Sequence, residues 1–132
     1  MTDYTHFTVT PAIQVLATKS RDSTIPGHVL SQVHQKMGVF LGQHLVGLVG
    51  LEEIEFEHVQ GIRKGPAISI RNHIVILPLM RAGLFAGLGI WDVLPSAAFV
   101  PITPTREKDL SDSEIKGLPS LTEKIVIIAD AV

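Results

Sequence analysis

No cysteine occurs among the 132 residues, so the chain carries no disulfide framework, no thiolate nucleophile and no zinc–thiolate site. Charge is equally unremarkable: eleven Lys and Arg stand against thirteen Asp and Glu, a net charge of −2. That balance lacks the basic patch of a nucleic-acid or membrane-surface binder. The opening, Met1 to His6, is polar and has neither the basic nor the apolar region of a signal peptide. No apolar run is long enough to span a bilayer, because Arg81 and a Gly-rich segment interrupt the greasiest region. There is no internal repeat, low-complexity tract or charge run. The histidines His6, His28, His34, His44, His58 and His73 are scattered without ligand spacing, which argues against a histidine metal site. No Gly-x-Ser-x-Gly, Walker or Gly-x-Gly-x-x-Gly motif stands in its proper context. These absences leave a cytoplasmic protein whose partners are neither nucleic acid nor membrane.

What is present is a hydrophobic content of 45% and a charged content of 18%, with a mean hydropathy of +0.33. The length suits one domain. The surplus of apolar residues points to an oligomer interface, a homodimer or larger, or to a core completed by other residues. Residues 1–50 read as helical. Thr10-Pro11 opens a short helix, with Thr as cap and Pro in the first turn. From His28 to Val49 the apolar residues recur every three or four positions, one face of a long helix that Gly50 stops.

Residues 51–132 read as a sheet core. Glu53, Glu55 and Glu57 alternate with Ile54, Phe56 and His58, which predicts a half-buried strand. Gly61 to Pro66 punctuates. Ile68 to Ile70 and Ile74 to Leu77 then predict a short strand and a buried one joined at Asn72. Ala82 to Leu94 predicts a helix held close to the sheet by Gly83, Gly87 and Gly89, and ended by Pro95. Ala97 to Ile102 and Ile125 to Ala129 predict further buried strands, with the polar stretch from Thr103 to Leu121 as an excursion between them. The order is that of a doubly wound, mostly parallel α/β sheet, whose ligands gather at the carboxyl ends of its strands.

Three residues stand at such ends. Arg81 lies between a buried strand and a helix amino terminus, where N–H groups and the macrodipole favour an anion, and a guanidinium grips phosphate oxygens with a planar fork. The alternative for Arg81 is a structural ion pair with a carboxylate. Arg106 lies in the polar excursion, where an arginine taken alone reads as solvated. Asp130 closes the last strand, where a carboxylate suits ribose hydroxyls or a hydrated metal, or is merely a solvated residue near a terminus.

Taken together, these segments resemble uracil phosphoribosyltransferase. Leu77-Pro78-Leu79-Met80-Arg81-Ala82-Gly83-Leu84 is similar to that family's V-P-I-L-R-A-G-L, and Leu94-Pro95-Ser96-Ala97 to its L-P-S-A. Arg106 falls at the family's spacing for a second arginine, and Val126 to Asp130 looks like the strand and first aspartate of its phosphoribosyl-diphosphate (PRPP) loop. The resemblance implies the amino-terminal part of a phosphoribosyltransferase fold with a β-hairpin arm, and the reaction of uracil with PRPP to give UMP and diphosphate. It implies that Arg81 and Arg106 bind the diphosphate of PRPP, or another phosphate-bearing small molecule, and that Asp130 binds the ribose. Mg2+ would arrive with PRPP, not at a protein-only site, and residues 103–121 would form a flexible arm over the site. The pattern also departs from the family. Phe85 to Gly89 replaces G-M-V-D-G, Thr105 replaces a tyrosine, and Glu107 to Leu110 replaces D-P-E-T. The sequence reaches Val132 without the T-G-G turn or the uracil-reading segment. The expectation is a chain that is not a competent enzyme by itself: a fragment, a non-catalytic binding or scaffold remnant, or one half of a split enzyme.

Overall fold

The computed structural model describes residues 9–69, 73–103 and 121–130. Helix α1 (Pro11–Ser20) begins as its sequence dictates. Pro11 occupies the first turn, and the Thr10 hydroxyl accepts from the Ile13 N–H at 3.4 Å. A short turn leads to the long helix α2 (Gly27–Val49). In that turn the Asp22 carboxylate accepts from the Thr24 hydroxyl at 2.7 Å and from the Thr24 N–H at 2.9 Å. The hydroxyl first, and then the amide, hold the Asp22 carboxyl below the ordinary aspartate pKa. A carboxyl lowered by folding stabilises the turn above its unfolded pKa of about 3.9, and that support fades as pH falls through the lower folded value. In an NMR pH titration the Thr24 amide should therefore shift with a midpoint below about 3.9, and Asp22→Ala should remove the transition.

After α2 come β1 (Leu51–His58) and β2 (Gly61–Ile68), paired antiparallel from Leu51 opposite Ile68 to His58 opposite Gly61. This ribbon corrects two expectations. The segment Gly61 to Pro66 is strand, not punctuation, and the hairpin precedes the buried strand instead of including it. Moreover, β1 is not half-buried: the ribbon is a separate two-stranded sheet, with Ile54 40% and Phe56 42% exposed. Lys64 lies 3.9 Å from Glu53 and 4.0 Å from Glu55, contacts that add little on so exposed a surface.

The core is a parallel sheet ordered β4-β3-β5, built from β3 (Ile74–Pro78), β4 (Ala98–Phe99) and β5 (Ile125–Ala129). β3 is buried along its whole length, with Ile76 fully inaccessible, as befits a central strand covered on both faces. β4 is shorter than its apolar run suggests, and beyond it only a bridge between Leu79 and Ile102 continues the pairing. Ile74 and Ile76 of β3, with Ile127 and Ala129 of β5, turn toward Val49 of α2 and toward Ile90 and Leu94 at the end of α3 (Leu84–Val93). The two helices therefore cover one face of the sheet. They cross closely because Gly38 of α2 lies against the Ala86 backbone, and Gly89 of α3 against the Gln35 carbonyl. Gly83 and Gly87 do face the sheet as expected, but Gly89 serves the helix–helix contact instead.

Candidate functional site

Parallel register brings the carboxyl ends of the strands to one edge. Pro78 pairs with Ala129, so Leu79 and Asp130 follow side by side, and the Leu79 N–H donates to the Ala129 carbonyl at 2.8 Å. The chain then turns: the Met80 N–H donates to the Ile102 carbonyl at 2.7 Å, and the Gly83 N–H to the Leu79 carbonyl at 2.8 Å. These bonds pin the Met80–Gly83 turn between β5 on one side and the strand-like end of β4 on the other. Gly83 is the residue that permits this approach, since a Cβ there would meet the Ala129 carbonyl.

Arg81 sits at the tip of the turn and is exposed. No ion pair or hydrogen bond engages its guanidinium among the described residues, so the structural ion-pair alternative finds no partner there. Its own N–H and that of Ala82 likewise donate to no group among the described residues. Helix α3 begins immediately afterwards with Gly83 as its cap and no side-chain capping bond. A helix start without a side-chain cap, two amides with no acceptor among the described residues and an exposed guanidinium form one electropositive corner suited to an anion. The pair of open amides is a feature that the sequence did not single out; its only signal was the helix start right after Arg81.

Asp130 is exposed at the same edge, one residue beyond β5. The fold thus brings Arg81 and Asp130, far apart in sequence, to the same end of adjacent strands. Arg106 and most of the 103–121 arm lie outside the described residues. Among the described residues no three His, Cys, Asp or Glu side chains come together as a metal site, and no helix is long and apolar enough to cross a membrane.

A family model for uracil phosphoribosyltransferase matches residues 7–132. Among solved structures, the AQ2163 protein from Aquifex aeolicus is similar, with 25% identity and a TM-score of 0.76 over 93% of this chain. The chain spans 60% of the length of that protein's chain. None of the curated proteins matches.

Proposed function

Because the chain belongs to the uracil phosphoribosyltransferase family, we propose that the carboxyl edge of its parallel sheet binds PRPP and serves the family reaction, uracil and PRPP to UMP and diphosphate, in pyrimidine salvage. The fold proposed with it is the amino-terminal part of the family's doubly wound sheet, with residues 103–121 as its arm. The observation that carries the proposal is the start of α3, which has no side-chain cap, with Arg81 exposed beside it and Asp130 at the end of the neighbouring strand.

On this reading the Arg81 guanidinium and the adjacent amides hold the diphosphate. As the bond from the ribose to diphosphate breaks, negative charge grows on the leaving oxygens, and donors already in place stabilise it without reorganisation. Asp130 accepts hydrogen bonds from the ribose hydroxyls. Arg106 takes the same part as Arg81 on the strength of the family motif alone. Mg2+ would be brought by the diphosphate, whose charge it neutralises.

Residues 1–132 include no Thr-Gly-Gly turn of the kind that cradles a 5′-phosphate with backbone amides. As a separate polypeptide they are proposed to bind PRPP without forming UMP. Incubation with PRPP and labelled uracil should yield no UMP above background, while PRPP binds saturably by calorimetry. Formation of UMP would refute the inactivity alone; absence of PRPP binding would refute the site.

Oligomerisation is part of the same proposal. In β5, Val126 is 37% and Ile128 65% exposed, a row of apolar side chains on the face away from the helices. A second copy of the chain is the proposed cover. Sedimentation at micromolar concentration should give twice the monomer mass or more, and a strict monomer would refute it.

A further inference from the structure

The opposite edge of the sheet carries its own polar constellation. The strand register places Ile74 beside Ile125 and Val75 beside Ala98. One step before the first pair and two before the second, Ser96, His73 and Lys124 therefore form a single row at the start of β4, β3 and β5. The row is tied by the bond from the Ile125 N–H to the His73 carbonyl, 2.8 Å long. Side chains two apart on a strand share a face, so this row belongs with Val75 and Ala98, on the face away from the Ile74–Ile76 core and its helices. A cavity of about 260 Å3 lies at this edge, lined by all five residues together with Ile68, Ser69 and Ile74.

Three features define its chemistry. Lys124 is half-buried as a residue, and its ammonium has no ion pair among the described residues. Ser96 and His73 add hydroxyl and imidazole donors beside it. Among the described residues no carboxylate lines the cavity; Glu52 lies next to it and accepts from the Ser69 hydroxyl at 3.2 Å. A cation and two further donors over an apolar floor are the elements of a site for one compact anion. The volume falls below the roughly 300–1,000 Å3 of pockets for drug-sized ligands. At about 3.3 Å per residue, the five residues of β3 separate this edge from the Arg81 edge by about 17 Å.

We infer that the amino edge of the sheet is a second anion site, which takes the phosphate group of a small molecule through Lys124, His73 and Ser96, independently of the Arg81 corner. The probe is inorganic phosphate, titrated into 15N-labelled protein. The amides of Ser69, His73, Ser96 and Lys124 should shift along one saturable curve. Lys124→Gln should weaken that curve by about tenfold, the loss of one charge-assisted contact, and Arg81→Ala should leave it unchanged. If Lys124→Gln loses the dispersed spectrum of the folded chain, Ser96→Ala takes its place, since Ser96 is exposed, and should weaken binding several-fold. Absence of saturable shifts at this edge, equal affinity in the parent and the folded variants, or loss of the curve in Arg81→Ala would each overturn the assignment.

Discussion

Arg81→Ala is expected to weaken diphosphate and PRPP binding by ten- to a hundredfold while leaving the fold intact. The size follows from the contact. A hydrogen bond to a charged group contributes about 1.5–3 kcal/mol, and a guanidinium on a phosphate makes two such bonds in parallel. Each 1.4 kcal/mol is a factor of ten in affinity. Stability should hardly change, because the side chain is exposed and engages no ion pair among the described residues. Calorimetric titration with diphosphate, paired with thermal unfolding of the same samples, reads both quantities. Arg81→Lys should recover only part of the loss, since an ammonium keeps the charge but not the fork. Equal affinity in parent and Arg81→Ala would assign diphosphate elsewhere. Unfolding of the variant would mean that Arg81 is a structural residue.

Gly83→Ala is expected to destabilise the chain by about 1–3 kcal/mol, the range for forcing atoms into a well-packed site. A methyl group at this position meets the Ala129 carbonyl and comes within 3.0 Å of the Leu79 N. Both are backbone atoms, so neither can swing aside as a flexible side chain would. The strain falls on the contact that holds the Arg81 turn against β5, and diphosphate affinity should drop along with stability. Gly47→Ala is the control. Gly47 is an exposed position in α2 with open space around it, and there the same change should stabilise by about 0.5–1 kcal/mol through helix propensity and lower unfolded-state entropy. Denaturant midpoints of the two variants should move in opposite directions. A neutral Gly83→Ala would mean that the turn is looser than its hydrogen bonds imply.

The sequence made some of this architecture legible and hid the rest for physical reasons. α2 could be read because its apolar residues recur at helical spacing for its whole length, and β3 because a short apolar run suits a strand covered on both faces; the same pattern overstated the burial of β5, where Val126 and Ile128 are exposed. β2 could not. Gly61, Gly65 and Pro66 are strand breakers by propensity, yet they pair in register with β1, in a two-stranded ribbon where every strand is an edge and a missing proline N–H is tolerated. The alternation of β1 misled in the other direction, since it signals two unlike faces and not that either is covered. Of the candidate site, Arg81 stood out because it follows a buried strand and precedes a helix. The open amides around it depend on how the turn is pinned, which no local pattern reveals. The row of Ser96, His73 and Lys124 was invisible because strand register alone unites residues so far apart in the chain.

Hydrogen exchange followed by mass spectrometry, with and without PRPP, tests the central claim most directly. The account predicts slower exchange in the turn and helix start from Met80 to Leu84, together with Ala129 and Asp130, while the β1–β2 ribbon is unaffected. Saturating PRPP with no protection at that edge, or protection confined to another part of the chain, would contradict it.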